Sequence, residues 1–234
     1  MKRKLIRGVL GGLALAAVAV VVWRLGTSSM TSYRWSTHYA RGETLIEEGS
    51  FSEAVHELEP ALQAMRIIGP EHPKYDETRM LLADAYEAVG RYEEAYPLYM
   101  ESMQRARQEH GKDSAEVATV LQEIARLHQL QGRPDAALGA YRQAIAVWQT
   151  AVGNEHPDLV PTLIGLGETL QGSGEYAEAS QYLEWAIGLQ RRILGTDNPK
   201  LAPLELRYAD VLRKLGKDDL ADQFAAHAES IQSQ

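Results

Sequence analysis

Apolar positions recur at helical spacing through most of the chain, and short glycine-bearing breaks divide them into segments of similar length. In one such segment Leu159, Leu163, Leu166, Gly167 and Leu170 fall on one face. Gly172-Ser173-Gly174 then interrupts, and Tyr176, Ala179, Leu183, Ala186 and Ile187 begin a second amphipathic stretch. Apolar residues three and four apart place a helix against a core, so the segment predicts two helices joined by a tight turn, and therefore antiparallel. The same pattern returns along the chain. Glycine stands at Gly90, Gly132, Gly174 and Gly216, and alanine five residues later at Ala95, Ala137, Ala179 and Ala221, a step of 42 residues. Gly49 and Ala54 form an earlier copy, 41 residues before. Five units thus occupy residues 32–231, with 232–234 as a tail. A fixed period of this size marks a stacked array whose single unit is too small to bury its own apolar face.

Each recurrent small residue has a structural reading. Gly42, Ala83, Ala125, Gly167 and Ala209 lie mid-way along each first helix, seven before the turn glycine, where a larger side chain would hold the paired helices apart. The turn glycines are expected in the left-handed conformation that ends a helix. A second series, Gly69, Gly111, Gly153 and Gly195, opens the connection between units. In three of these, Gly69-Pro70-Glu71-His72-Pro73, Gly153-Asn154-Glu155-His156-Pro157 and Gly195-Thr196-Asp197-Asn198-Pro199, glycine stops one helix and proline restarts the next. His72 and His156 occupy equivalent places, which points to a loop-structuring role. Pro60 and Pro97 break the pattern. Both fall inside predicted second helices, where proline removes a hydrogen bond and kinks the chain. They read either as a bend that shapes this end for a partner or as irregularities tolerated on an outer helix.

The N-terminus follows a different pattern. MKRKLIR precedes an uncharged run from Gly8 to Trp23, closed by Arg24. As a helix the run spans ~24 Å, short of the ~30 Å hydrocarbon thickness but extended by Leu5 and Ile6 if Arg7 snorkels. The segment divides into a basic N-terminus (1–7), a transmembrane anchor (8–25) and a short linker (26–31). A secretory signal has the same charge and hydropathy profile, but the triplet Ala17-Val18-Ala19 lies inside the apolar run, which favours retention; Gly26-Thr27-Ser28 is a weaker site beyond it. Basic residues concentrate before the span, so the N-terminus is expected in the cytoplasm and the repeats across the membrane, in a periplasm or its equivalent, with a bacterial inner membrane as the setting. The linker reaches at most ~25 Å, which would keep the repeats near the bilayer.

Composition narrows the function classes. Hydrophobic residues make up 45% of the chain, which excludes a disordered tail. The net charge of −8 includes five cations and no acid before residue 31, so the rest is more acidic still and would repel nucleic acid. With no cysteine there is neither disulfide nor thiolate chemistry. The seven histidines show no short ligand spacing, the carboxylates are those of solvated helices, and Gly172-Ser173-Gly174 lacks the lysine of a phosphate loop. No catalytic residue, metal, cofactor or small-molecule substrate is expected.

The unit length and the G-x-x-H-P connection, as in AVGNEHPDL, resemble the tetratricopeptide repeat of the kinesin-light-chain type. The resemblance covers about residues 32–231. It implies an all-α, right-handed superhelical solenoid that binds peptides or protein surfaces without chemistry of its own. It also implies that the first helix of each unit lines a concave groove, presenting Tyr39, Glu43 and Ile46; Met80, Asp84 and Glu87; Gln122, Arg126 and Gln129; Ile164, Glu168 and Gln171; and Leu206, Asp210 and Arg213. The Asn pair typical of kinesin light chains is replaced by Tyr39-Ala40, Met80-Leu81, Gln122-Glu123, Ile164-Gly165 and Leu206-Arg207. Glu43 and Asp84 stand where chaperone-binding members carry a carboxylate clamp, and would repel a C-terminal carboxylate. An apolar line (Tyr39, Met80, Ile164, Leu206) beside an acidic one (Glu43, Asp84, Glu168, Asp210) suits an amphipathic or basic segment of a partner protein, including subunits of a membrane complex; alternatively, the acids are a solvated face and the apolar residues pack against neighbouring helices. The expected function is a non-enzymatic, membrane-anchored adaptor in assembly or stabilisation of an envelope complex. A permanent accessory subunit, or a secreted peptide-binding chaperone if the signal is cleaved, are the alternatives.

Overall fold

A computed structural model describes residues 29–233. They are helical with no strand among them: α1 (29–47), α2 (Phe51–Ile68), α3 (Tyr75–Ala88), α4 (Tyr92–Glu109), α5 (Ala115–Leu130), α6 (Pro134–Val152), α7 (Leu159–Gly172), α8 (Tyr176–Leu194), α9 (Ala202–Lys214) and α10 (Asp218–Gln232), with a 3-10 turn at Pro199–Leu201 before α9. None of the described helices is long and apolar enough to cross a membrane. The anchor expected over residues 8–25 lies outside the described residues. The linker expected over 26–31 is helical from residue 29, because Ser29, Met30 and Thr31 include no helix breaker and simply extend α1.

The chain divides into two compact units, with the boundary inside α4 between Leu98 and Tyr99. In the first, α1 and α2 form a hairpin closed at Gly49-Ser50, with His38 bonded to Glu57 across it, and α3 packs on α2. Gly42 sets the approach of α1 to α2: a Cβ there would lie 2.5 Å from the Leu58 side chain. In the second unit, α5 with α6, α7 with α8, and α9 with α10 make three hairpins, and α6 packs on α7 and α8 on α9. Gly167 repeats the role of Gly42, since a Cβ would meet Leu183 at 2.7 Å, and Gly165 leaves room for the Tyr141 ring, 2.5 Å from where its Cβ would be. Where alanine replaces glycine in this series, at Ala83, Ala125 and Ala209, it is wholly buried, as are Ala54, Ala95, Ala137, Ala179 and Ala221 on the second helices.

Leucines and aromatics fill the space these contacts define. Leu138, Tyr141, Trp148, Leu163, Leu166 and Leu183 belong to one continuous core in the second unit. Burial of each such leucine is worth about 2 kcal/mol. Leu201, Ala202, Ala228 and Ile231 close its C-terminal end, while Asp222, Gln223, Glu229, Gln232 and Ser233 face solvent as a terminal cap requires.

The two glycine series differ in backbone conformation. Gly49, Gly90, Gly132, Gly174 and Gly216 have φ between 67° and 81°. Each donates its N–H to the carbonyl three residues back, and the following residue donates to the one five back, as in Gly132 to Gln129 (3.0 Å) and Arg133 to His128 (2.9 Å). This paired closure satisfies the carbonyls that a helix end leaves open. Gly153 and Gly195, by contrast, have ψ of 179° and 161° with φ near 90°, an extended mirror-image conformation essentially closed to residues with a Cβ.

Both prolines lie inside continuous helices, Pro60 in α2 and Pro97 in α4. A helix-interior proline costs about 3 kcal/mol relative to alanine, and these helices continue past theirs because packing on either side holds them.

Asparagine enters the left-handed region readily but not the mirror-extended one. Gly132→Asn should therefore cost at most about 1 kcal/mol in urea denaturation, and Gly153→Asn about 1–3 kcal/mol. Equal losses would mean that the two turns are not different in kind. Ala137→Trp forces a large ring into a fully buried site and should lower the circular-dichroism melting temperature by a loss of at least about 1–3 kcal/mol; an unchanged melt would contradict the hairpin packing.

Candidate functional site

In the first unit, the surface of α1 and α3 is organised by a polar and aromatic cluster. Trp35 packs edge-on to His72 with centroids 4.9 Å apart, and its Nε1 donates to Thr78 Oγ1 at 3.1 Å. Tyr39, one turn along from Trp35, is buried, and its hydroxyl donates to Glu77 and, at 3.4 Å, to Glu43. Burial, followed by these carboxylates, pushes the Tyr39 phenol well above its ordinary pKa. The Lys74 ammonium and the Tyr39 hydroxyl hold the Glu77 carboxyl below the usual carboxylate range. Of the other expected groove positions here, Glu43 and Asp84 are exposed, Ile46 and Met80 half-buried, and Glu87 is buried. Tyr39 and Glu87 thus offer little surface to a partner.

In the second unit the first helices lie side by side and bond to one another. Thr162 Oγ1 donates to Gln122 Oε1 at 2.5 Å between α7 and α5, and Arg207 pairs with Glu168 at 2.9 Å between α9 and α7. Gln122, Gln129, Ile164, Glu168, Gln171 and Leu206 are half-buried, while Arg126, Asp210 and Arg213 are exposed. Arg126 pairs with Glu123 at 2.7 Å, Arg213 with Asp210 at 3.3 Å, and Gln129 accepts from the Tyr141 hydroxyl at 3.1 Å. The acidic line expected along these helices is therefore interleaved with arginine. Such surface pairs add about 0–1 kcal/mol each, so their effect is on charge pattern and not on stability.

Two arrangements go beyond the sequence reading, which gave His72 and His156 a loop-structuring role and said nothing of Ser114 or Glu205. The first is a set of side-chain acceptors at positions 72, 114, 156 and 198, 42 residues apart. His72 Nδ1 accepts from the Lys74 N–H (3.2 Å), Ser114 Oγ from Val117 (3.4 Å), His156 Nδ1 from Asp158 (3.3 Å) and Asn198 Oδ1 from Lys200 (3.0 Å). Ser114 and Asn198 cap α5 and the turn before α9, while His72 and His156 bond the N–H of the residue that immediately precedes α3 and α7. His156 also stacks on Trp148, with centroids 5.9 Å apart. The second is Glu205, fully buried on α9, whose Oε1 accepts from Arg191 at 2.7 Å and whose Oε2 is 2.6 Å from His227 Nδ1. This joins α8, α9 and α10, and partners on both oxygens are what allow a carboxylate to be buried.

The first unit also contains an open cleft of about 720 Å³ between α2 and α4, floored by Leu82 and Tyr86 of α3. Both anomalous prolines line it. Beside it the Tyr86 hydroxyl donates to Glu59 at 2.8 Å, and the Arg91 guanidinium lies 4.4 Å from the Tyr86 ring centroid and pairs with Glu59 and Glu94. Burial, then Glu59, push the Tyr86 phenol up to about 12. Among the described residues, no group of His, Asp and Glu is arranged to hold a metal ion.

Residues 35–95, 76–150 and 140–192 each match the sequence profile of the tetratricopeptide repeat. These stretches span more than half of the chain, which belongs to the tetratricopeptide repeat family. Its fold is kinesin-light-chain-like. It is similar to the KINESIN LIGHT CHAIN-RELATED 3 protein of Arabidopsis thaliana, 31% identical over 70% of this chain and 24% of that protein. It is also similar to a clustered mitochondria protein homolog of Debaryomyces hansenii, 28% identical over 68% of this chain and 12% of that one. The chain thus spans a quarter or less of the length of these relatives. Among solved structures, the "kinesin light chain nearly identical TPR-like repeats" of Podosopora anserina superpose with a TM-score of 0.71 at 21% identity, covering 86% of this chain and 95% of that one.

Loss of a side-chain acceptor for a backbone N–H typically costs about 1 kcal/mol. His156→Ala should lose about that much in thermal unfolding, while His156→Asn, which installs the acceptor already used at position 198, should lose much less. Similar losses for both would assign the role of His156 to its stacking on Trp148.

Proposed function

We propose that this protein is a non-enzymatic adaptor whose tetratricopeptide repeats, carried as a right-handed superhelix on a membrane anchor at residues 8–25, hold a partner protein near the bilayer. The observation that carries the adaptor reading is the bonded alignment of first helices, Thr162 to Gln122 and Arg207 to Glu168, which makes a firm side-by-side surface of the kind on which repeat arrays bind other proteins. The anchor rests on the basic-apolar N-terminal sequence, and the periplasmic side on its charge asymmetry. In this reading Glu43 and Asp84 of the first unit, both exposed, select a basic or amphipathic segment of a membrane or envelope complex, and Met80 supplies apolar contact beside them.

The test is crosslinking and detergent co-purification of the full-length chain from its native membranes. An uncleaved chain that resists carbonate extraction and captures a defined partner is the expected result, with Glu43→Lys combined with Asp84→Lys reducing capture about tenfold, a loss of about 1.4 kcal/mol. A shortened chain released in soluble form would overturn the anchor. Undiminished capture by the double variant would overturn the role of the two acids.

A further inference from the structure

Among the described residues, three large apolar side chains are far more exposed than any others: Met30 at 78%, Ile67 at 74% and Tyr33 at 73%, against 48% or less for the rest. All three lie at one end of the first hairpin. Because α1 and α2 run antiparallel from the Gly49-Ser50 turn, the first turns of α1 lie beside the last turn of α2 and the connection that follows it, and Trp35 packs on His72 of that connection. The charges divide along the same axis. Arg34 and Arg66 are exposed at this end and make no ion pair among the described residues, whereas Glu47, Glu48 and Glu53 stand at the turn end. Glu71 is the one acid in the nearby connection, and Glu77 just beyond it is held by Lys74 and Tyr39.

We propose that this end of the hairpin docks into the headgroup layer of a bilayer containing anionic phospholipid, with Met30, Tyr33 and Ile67 entering the layer and Arg34 and Arg66 at its phosphates. The inference rests on the reading of residues 8–25 as a membrane anchor, and adds that the first unit touches the bilayer from which it hangs. Only residues 26–28 separate that span from α1, so Met30 is at most ~18 Å from Leu25 even along a fully extended chain. The headgroup layer is itself roughly 5–8 Å thick on each side, which puts the start of α1 within reach of it. Ile67 is carried to the same place by the hairpin. A lipid surface suits both halves of the pattern, since apolar and phenolic side chains are favoured at headgroup depth and arginine is drawn to anionic lipid. The chain as a whole carries −8, so an anionic surface repels most of it and favours the orientation in which this cationic end faces the lipid.

The chain has no cysteine, so Val20→Cys, Met30→Cys, Tyr33→Cys, Glu48→Cys and Ile67→Cys each accept a single nitrobenzoxadiazole label. The full-length protein is reconstituted in vesicles of phosphatidylcholine and phosphatidylglycerol in equal amounts, and quenching by lipids spin-labelled just below the headgroup is read at each site. Quenching at 20, 30, 33 and 67 and none at 48 is the expected result. Position 67 decides the matter, because it is far from the span in sequence and the tether alone does not bring it to lipid. Arg34→Glu combined with Arg66→Glu should lower the ratio of docked to undocked chains, read at 67, at least about tenfold. Quenching at 20 without 67 would overturn the docking and leave the anchor standing, while quenching at 67 without 20 would overturn the anchor alone. Quenching at neither would overturn both. A label at 67 that is shielded from aqueous iodide but not quenched by lipid would assign this end to a second copy of the chain and also overturn the docking.

Discussion

The contact on which the repeats depend is the close approach of paired helices across glycine and alanine. Gly42 against Leu58 and Gly167 against Leu183 leave no room for even a methyl group, and the alanines of the second helices are wholly buried. At this separation a leucine from one helix settles beside the backbone of the next, and dispersion contacts accumulate along the whole hairpin. Tyr141 shows the same dependence: its ring lies over Gly165, and its hydroxyl reaches Gln129 only because no side chain intervenes. Everything outside the hairpins, including the caps, the ion pairs and the cleft, is arranged on surfaces that this spacing fixes.

Two kinds of glycine turn the chain between these contacts. The turn within a hairpin is closed by its own backbone, with carbonyls three and five residues back each receiving an N–H. The turn between repeats uses a side-chain acceptor just before the next helix, and the four positions that supply it are occupied by His, Ser, His and Asn. The shared requirement is an acceptor atom within reach of an N–H two or three residues on, which explains why different residues serve there.

Periodicity made the architecture legible. Glycine and alanine at a fixed step, with apolar faces at helical spacing between them, define helix pairs and place their boundaries, and the resemblance to the tetratricopeptide repeat rests on the same residues. Ser114 was harder to see as a cap because Gly111-Lys112-Asp113-Ser114 has no proline after it, although the 42-residue step leads from His72 to it. Glu205 could not have been found this way: positions 121 and 163 in the same register are leucines, so the repeat predicts an apolar residue, and the carboxylate is buried only because Arg191 and His227 arrive from other helices. The groove positions were legible as a set, but not their fates. Tyr39 and Glu87 are buried, and Glu168 meets an arginine from the neighbouring first helix, because side-chain pairing between repeats has no periodic signature.

In the second unit the principal contacts join elements adjacent along the chain, α5 with α6, α6 with α7, α7 with α8, α8 with α9, and α9 with α10. Tension applied along such a chain has no long-range clasp to break all at once. Pulled from its C-terminal end, this unit should yield one hairpin at a time, each release lengthening the chain by about 42 residues, and re-form in the reverse order when the load falls. A domain built this way can serve as a graded elastic element between two bodies that move relative to each other.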